Sequence, residues 1–299
     1  MIRQLMVIVL ALTPGLLAGQ SPWVAATPRV DHSSPLRNPG LTESSGVVVS
    51  RSQPGILWSF NDSGNAPEIF ATDTIGSDLG RFTVPYSWNK DWEAMTTGPC
   101  GPVTCLYIGD IGDNKENRAS VTIYRLAEPK VPRPLTRQAL VTERPAGIEL
   151  RYPDGAHDVE AMYFADSSLY LVTKGRSSGV LLFRVPAVPW RSGKAVMAEP
   201  LGALPIVPKK HRGRLVTDAA IAPNGHTVVV RTYVDLYFFE RQQDGRLLPK
   251  RGTNSCAIAG LESQGEGVDW LGSDRLVLTS ESSLVSASTV TVLHCSGAM

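Results

Sequence analysis

An all-β fold is predicted for this chain, a five-bladed β-propeller in which four-stranded sheets stand radially about one axis. Three observations predict it. A short acid-bearing phrase recurs five times, β-rich runs follow each copy, and no stretch after residue 27 keeps a helical period for about ten residues. Counting Glu43 to Glu93, Glu93 to Glu160, Glu160 to Asp218 and Asp218 to Glu266 gives intervals of 50, 67, 58 and 48 residues. Each interval holds one small sheet.

The first unit opens at Thr42-Glu43-Ser44-Ser45-Gly46 and continues with Ile56-Leu57-Trp58-Ser59-Phe60 and Glu68-Ile69-Phe70. The second opens at Asp91-Trp92-Glu93-Ala94-Met95, followed by Leu106-Tyr107-Ile108 and Val121-Thr122-Ile123-Tyr124. Asp158-Val159-Glu160-Ala161-Met162 begins the third, with Leu169-Tyr170-Leu171-Val172 and Val180-Leu181-Leu182-Phe183 behind it. The fourth runs Thr217-Asp218-Ala219-Ala220-Ile221, Val228-Val229-Val230 and Leu236-Tyr237-Phe238-Phe239. The fifth runs Gly265-Glu266-Gly267-Val268-Asp269-Trp270, Leu276-Val277-Leu278 and Thr289-Val290-Thr291-Val292-Leu293. These runs are short, β-branched or aromatic, and bounded by Gly, Asn, Asp and Ser, as strands joined by tight turns are.

Closure sets the blade count. The first four units have room for a fourth strand, for example Ala146–Leu150 in the second and Leu201–Leu204 in the third, whereas the fifth unit ends soon after its third. Residues 28–42 belong to no unit, so they are expected to supply the outer strand of the last blade and remove an open edge. A sixth blade within the long Glu93–Glu160 interval is the alternative count.

Met1-Ile2-Arg3-Gln4 followed by an apolar run from Leu5 to Leu17, broken at Thr13-Pro14-Gly15, reads as a secretory signal peptide. Val24-Ala25-Ala26 offers small residues for cleavage after Ala26, with a site nearer Ala18 as the alternative. The division is then a signal peptide at 1–26 and one propeller domain at 27–299. A secreted or periplasmic protein without a membrane span is expected. Export makes disulfides the expected state of the four cysteines. Cys100 and Cys105 flank a turn and are expected to pair, leaving Cys256 for Cys295. A cysteine metal site is the rival, and the chain lacks the paired CxxC motifs it needs. A net charge of +1 indicates neither nucleic acid nor an anionic membrane as a partner. A monomer is expected.

In a propeller the innermost strand of each blade lines the channel, and its start lies beside the end of the second strand. Two rings should therefore share one face. The inner ring carries Ser44 or Glu43, Glu93, Glu160, Asp218 and Glu266, and the second carries Asn61-Asp62, Asp110, Lys174, Arg231 and Glu281. Carboxylates crowded about one axis repel, and a hard cation such as Ca2+ would neutralise them.

In blade rhythm and acid placement the chain resembles the five-bladed propellers of the calcium-activated nucleotidase (apyrase) family. The phrases that carry the resemblance are Glu43-Ser44-Ser45-Gly46-Val47-Val48, Trp92-Glu93-Ala94, His157-Asp158-Val159-Glu160-Ala161, Thr217-Asp218-Ala219 and Gly265-Glu266-Gly267-Val268. The resemblance implies a channel Ca2+ held by Ser44, Glu93, Glu160, Asp218 and Glu266. The acid at Asp218 departs from the serine or glutamate of that family, and its nucleotide-handling residues have no match here. The chain also resembles a group of uncharacterised exported bacterial propellers carrying Asn61-Asp62-Ser63-Gly64-Asn65 and Gly109-Asp110-Ile111-Gly112-Asp113-Asn114.

Around the Ca2+, Lys174, Arg231, Asn61 and Glu281 are the expected ligand contacts, and His157, Asp110 and Asp62 the candidates for activating water. The Lys209-Lys210-His211-Arg212-Gly213-Arg214 run would add a preference for anions. Gly175-Arg176-Ser177-Ser178-Gly179 matches the GxSxG pattern but precedes a strand, where a nucleophile elbow needs a helix. Two functions follow. One is a Ca2+-dependent exported hydrolase of a small anionic phosphoester or lactone; the other is a non-catalytic propeller that binds a ligand or a protein, with Ca2+ structural.

Overall fold

The strand runs read from the sequence fall in strands, with Ile56, Val180 and Leu204 one residue outside, and the strands group into five sheets. The computed structural model describes residues 21–136, 138–187, 190, 194–209, 213–284 and 286–296. Blade one is Ser44–Val49, Leu57–Asn61, Glu68–Thr72 and Gly80–Thr83, running outward. Blade two is Trp92–Pro99, Thr104–Asp110, Val121–Ala127 and Ala146–Arg151. Blade three is Val159–Ala165, Ser168–Thr173, Leu181–Val185 and Glu199–Ala203. Blade four is Val216–Ile221, Thr227–Thr232 and Asp235–Arg241, whose outer edge pairs with both Leu247–Pro249 and Ser255–Ala257.

Blade five has only three strands of its own, Gln264–Trp270, Arg275–Glu281 and Thr289–His294. The N-terminal strand Arg29–Pro35 pairs antiparallel with Thr289–His294 and closes it, as expected. The long second interval holds no sixth sheet. It carries the fourth strand of blade two and a proline-bearing link, whose residues Leu140–Val141 pair parallel to the outer strand of blade one. Val196–Met197 does the same for blade two and Ala25–Ala26 for blade four, so two-residue caps shield outer edges.

Period-two alternation along each strand sends side chains to both faces of a blade, and each face meets a neighbour. Five buried clusters result, one per junction. Trp58, Phe60, Trp92 and Leu106 fill the junction of blades one and two; Tyr107, Ile123, Met162 and Leu171 that of two and three. Tyr163, Leu182, Val230 and Phe239 join three to four; Phe238, Trp270 and Leu278 join four to five; Leu57, Phe70, Val277 and Val292 return the ring to blade one. Each large side chain so buried contributes roughly 1.5–3 kcal/mol.

Both expected disulfides are present. Cys100–Cys105 staples the turn between the first two strands of blade two, with Cα atoms 5.8 Å apart. Cys256–Cys295, with Cα atoms 6.2 Å apart, fastens the outer edge of blade four to the end of blade five.

Most of the expected signal peptide lies outside the described residues. Residues 22–26 are described and pack on blade four. The Trp23 ring centre lies 4.5 Å from that of Tyr237 and 5.2 Å from that of Phe239. Buried Asn254 accepts from Val24 N at 2.8 Å and donates to Pro22 O at 2.9 Å. No helix among the described residues is long and apolar enough to cross a membrane.

Candidate metal centre at the channel mouth

The innermost strand of every blade carries a β-bulge at the same point, inside the acid phrase. Pairing jumps by one residue between Ser44 and Gly46, Trp92 and Ala94, Val159 and Ala161, Val216 and Asp218, and Gly265 and Gly267. The skipped residues are Ser45, Glu93, Glu160, Thr217 and Glu266. A bulge re-aims one side chain without ending the strand, which is why bulges gather beside functional sites. Here five of them put an oxygen-bearing residue at the start of each inner strand.

Four of the five, Ser45, Glu93, Glu160 and Glu266, line one cavity of about 270 Å³ at this mouth of the channel, together with Asp62, Glu281, Lys174, Arg176, Asn114, Gln264 and Tyr233. The Ser45 hydroxyl donates to Glu93 Oε2 at 3.1 Å, and Gln264 Nε2 donates to Glu266 Oε1 at 3.1 Å and Glu281 Oε2 at 2.7 Å. Lys174 Nζ donates to Glu160 Oε1 at 2.7 Å. Carboxylate oxygens of Asp62, Asp91 and Glu93 lie within 4.8 Å of one another. The motif Gly109–Asn114 builds the wall beside them. Gly112 is required there, since a Cβ would stand 2.6 Å from both Asp91 Oδ2 and Glu93 Cγ.

Five carboxyls face two cations in this cavity, and one cation is committed elsewhere, because Arg176 Nε donates to Asp158 Oδ2 at 2.7 Å. The acids respond by holding protons. Burial, then the charge of Glu160, pushes Glu93 well above the usual carboxylate range. Burial raises Glu266 to about 8 and Glu160 to about 7, against the opposing pull of Lys174. Glu281 rises to about 7 through burial and the charges of Asp62 and Glu43, and Asp91 to about 6 through burial and Asp62. Burial opposes the charge of Lys174, but Glu160, Tyr233 and Glu93 outweigh it and hold the ammonium charged. An excess of acid that nothing but protons neutralises, lined by oxygen donors and by neither Cys nor His, fits a hard divalent cation.

The structure separates the residues expected from sequence. Glu93, Glu160, Glu266, Lys174, Glu281 and Asp62 come together at the cavity. Ser44 and Asp218 do not. The Ser44 hydroxyl hydrogen-bonds Ser59 Oγ at 2.8 Å, and the buried Asp218 carboxylate accepts from Ala219 N and Val268 N, each at 2.8 Å. The bulge hands their places to Ser45 and Thr217, and the Thr217 hydroxyl donates to Glu266 O at 2.9 Å, tying blade four to blade five.

Asn61 ties down the loop before blade one, accepting from Thr42 N at 3.1 Å and donating to Gly40 O at 2.6 Å. Arg231 is fully buried, bonded to Glu262 and to Gly267 O and Thr279 O. Asp110 binds Arg118 at 2.9 Å and Asp91 N at 3.1 Å, holding the wall from behind. His157 lies apart from the cavity, on Asp154 at 2.9 Å and against the Tyr152 and Phe183 rings. Lys210, His211 and Arg212 lie outside the described residues, and Arg214 is paired with Asp235 at 3.2 Å. The Gly175–Gly179 segment joins two strands, and its use at the site is Arg176 rather than a serine nucleophile. Arg176, Asn114, Gln264 and Tyr233 were not singled out as site residues from sequence. The one available signal was position: each lies within four residues of an acid or strand end that the repeat did mark.

No protein-family model and no curated protein matches this chain. Among solved structures, the Pseudomonas aeruginosa periplasmic gluconolactonase PpgL matches 76% of this chain at 9% identity and a TM-score of 0.40; this chain spans 63% of that protein. So distant a likeness bears on neither substrate nor chemistry. The resemblance to calcium-activated nucleotidases rests on blade rhythm and acid placement alone.

Proposed function

We propose that this is an exported propeller that holds one Ca2+ at its acidic channel mouth and hydrolyses a small anionic substrate, a phosphoester or a lactone. The observation that carries the reading is the set of five matching bulges, four of which bring Ser45, Glu93, Glu160 and Glu266 to one cavity. Asp62, Asp91 and Glu93, whose carboxylate oxygens lie within 4.8 Å of one another, would hold the ion, with Glu266 beside them on the cavity wall and Glu160 shared with Lys174. A bound Ca2+ supplies electrophilic polarisation of a substrate oxygen.

The rest falls to the chain's own residues. Lys174 and Arg176, both on blade three, give one side of the mouth positive charge and would orient an anion. Glu281, with a pKa near 7, is placed to take a proton from attacking water at neutral pH. Two disulfides fit an oxidising compartment and so support export.

The test is turnover of p-nitrophenyl phosphate and of a carboxylate-bearing lactone, D-glucaro-1,4-lactone, by metal-stripped protein with and without CaCl2. Ca2+-dependent hydrolysis of either, lost in Glu281→Gln, is the expected result. Ca2+ binding without turnover of either would favour the non-catalytic reading, in which Lys174 serves only to neutralise Glu160.

A further inference from the structure

The five inner strands run from the acidic mouth to a second, larger opening at the other end of the channel. There a cavity of about 580 Å³ is lined from all five blades. That volume falls within the roughly 300–1,000 Å³ of small-molecule sites. We infer that it binds a neutral, ring-bearing, largely apolar small molecule with one hydrogen-bonding oxygen, at a site independent of the metal mouth.

Three observations carry this. The first is why the space exists. Blade four contributes Ala219, Ala220 and Ala222 to the wall where blade three contributes Phe164, so small side chains leave volume on one side facing an aromatic ring on the other. The Phe164 ring lies over Gly98, where a Cβ would meet its Cγ at 2.7 Å; any larger residue there would displace the ring.

The second is the chemistry of the lining. Val47, Val48, Met95 and Val268 make the floor apolar. The charges present cancel: Arg51 donates to Asp269 Oδ1 at 3.2 Å, and Asp269 is further held by Val49 N at 2.7 Å. A ligand here meets no net charge to recruit an ion, in contrast to the other mouth. Thr96 is only 8% exposed, yet its hydroxyl makes no hydrogen bond among the described residues while it lines the cavity. A cavity-lining hydroxyl that spends no hydrogen bond on the protein can donate to and accept from a ligand.

The third is the rim. The first two strands of blade two extend to the turn Gly101–Thr104, which borders the cavity and is stapled by Cys100–Cys105. The same turn lines a neighbouring cavity of about 440 Å³, and Pro99 lines another of about 210 Å³. The disulfide therefore rigidifies the element that walls the site, and a rigid wall lowers the ordering cost of binding.

The probe is 6-propionyl-2-(dimethylamino)naphthalene, a flat neutral ketone whose emission reports an apolar site, titrated into the full folded protein. Saturable one-to-one binding is expected. Val103 is 50% exposed at the rim turn. Val103→Trp should fold normally and weaken binding at least about tenfold by closing the opening, and Thr96→Val about threefold to tenfold by removing the hydroxyl, a loss on the scale of one hydrogen bond. Glu93→Gln, at the opposite mouth, should leave it unchanged. The inference is overturned by non-saturable binding, by affinity indifferent to both Val103→Trp and Thr96→Val, or by an equal loss in Glu93→Gln.

Discussion

Calcium should stabilise this protein strongly at about pH 8 and hardly at all at about pH 5.5. The reason is proton competition at the channel mouth. Unfolded glutamates ionise near 4.5, whereas Glu160 and Glu281 in the fold hold protons to about 7 and Glu266 to about 8. Between those limits the folded state binds more protons than the unfolded one, so metal-free stability falls as pH rises from about 4.5 through about 8. For Glu266, 4% exposed, the rise corresponds to a cost on the order of 5 kcal/mol once it is ionised. A cation that binds only the folded protein returns about 2.7 kcal/mol at a hundredfold excess over its Kd. At roughly 2–4 °C per kcal/mol, CaCl2 should raise Tm by about 5–10 °C at the higher pH and by under about 2 °C at the lower. Scanning calorimetry on metal-stripped protein reads this directly. Glu266→Gln should raise metal-free Tm at about pH 8 and shrink the Ca2+ increment. An increment equal at both pH values, or larger in acid, would refute the reasoning.

Other consequences are as sharp. Lys174→Met removes the ammonium that competes for Glu160 and should tighten Ca2+ binding about tenfold, read by calorimetric titration, since a unit charge close by is worth about 1.4 kcal/mol or more. Arg231→Met should instead cost about 3–5 kcal/mol in urea unfolding, because it strands buried Glu262. Gly112→Ala should leave the fold intact but weaken Ca2+ at least about tenfold by displacing Asp91 and Glu93, measured as a shifted Kd. We propose that the exported chain retains Trp23, so processing falls nearer Ala18 than Ala26; N-terminal sequencing of exported protein that began at Thr27 would refute it.

The fold was legible because the repeat speaks at every level. Acid phrases, paired β runs and turn residues keep one order through five units, and the spare N-terminal segment matched a last blade one strand short. The disulfides followed from a turn and from elimination. The placement of the candidate site's side chains was legible to within one residue and no better. Phrase spacing locates the start of each inner strand, but a bulge inserts a residue and inverts which neighbour faces the channel, a geometry that spacing alone does not encode. Glu93, Glu160 and Glu266 sit on the skipped position, whereas Ser44 and Asp218 sit beside it, and their places pass to Ser45 and Thr217. Arg231 misled for a related reason. Equivalence by strand end predicts Lys174 and Arg231 at the same height, but Gly265 leaves room for the guanidinium to turn sideways under blade five, where Gly267 O accepts from it and Glu262 pairs with it. Such a turn depends on what a neighbouring blade lacks.

On the proposed function, the bulged acids of the channel mouth bind one Ca2+. Calorimetric titration of CaCl2 into metal-stripped protein at about pH 8, in two buffers of different ionisation enthalpy, tests it most directly. One site with proton release is expected, abolished in Glu93→Gln with Glu266→Gln and retained in Asp218→Asn, whose carboxylate accepts from the backbone amides of Ala219 and Val268. No binding heat in either buffer, or binding lost in Asp218→Asn and kept in the double glutamine variant, would contradict it.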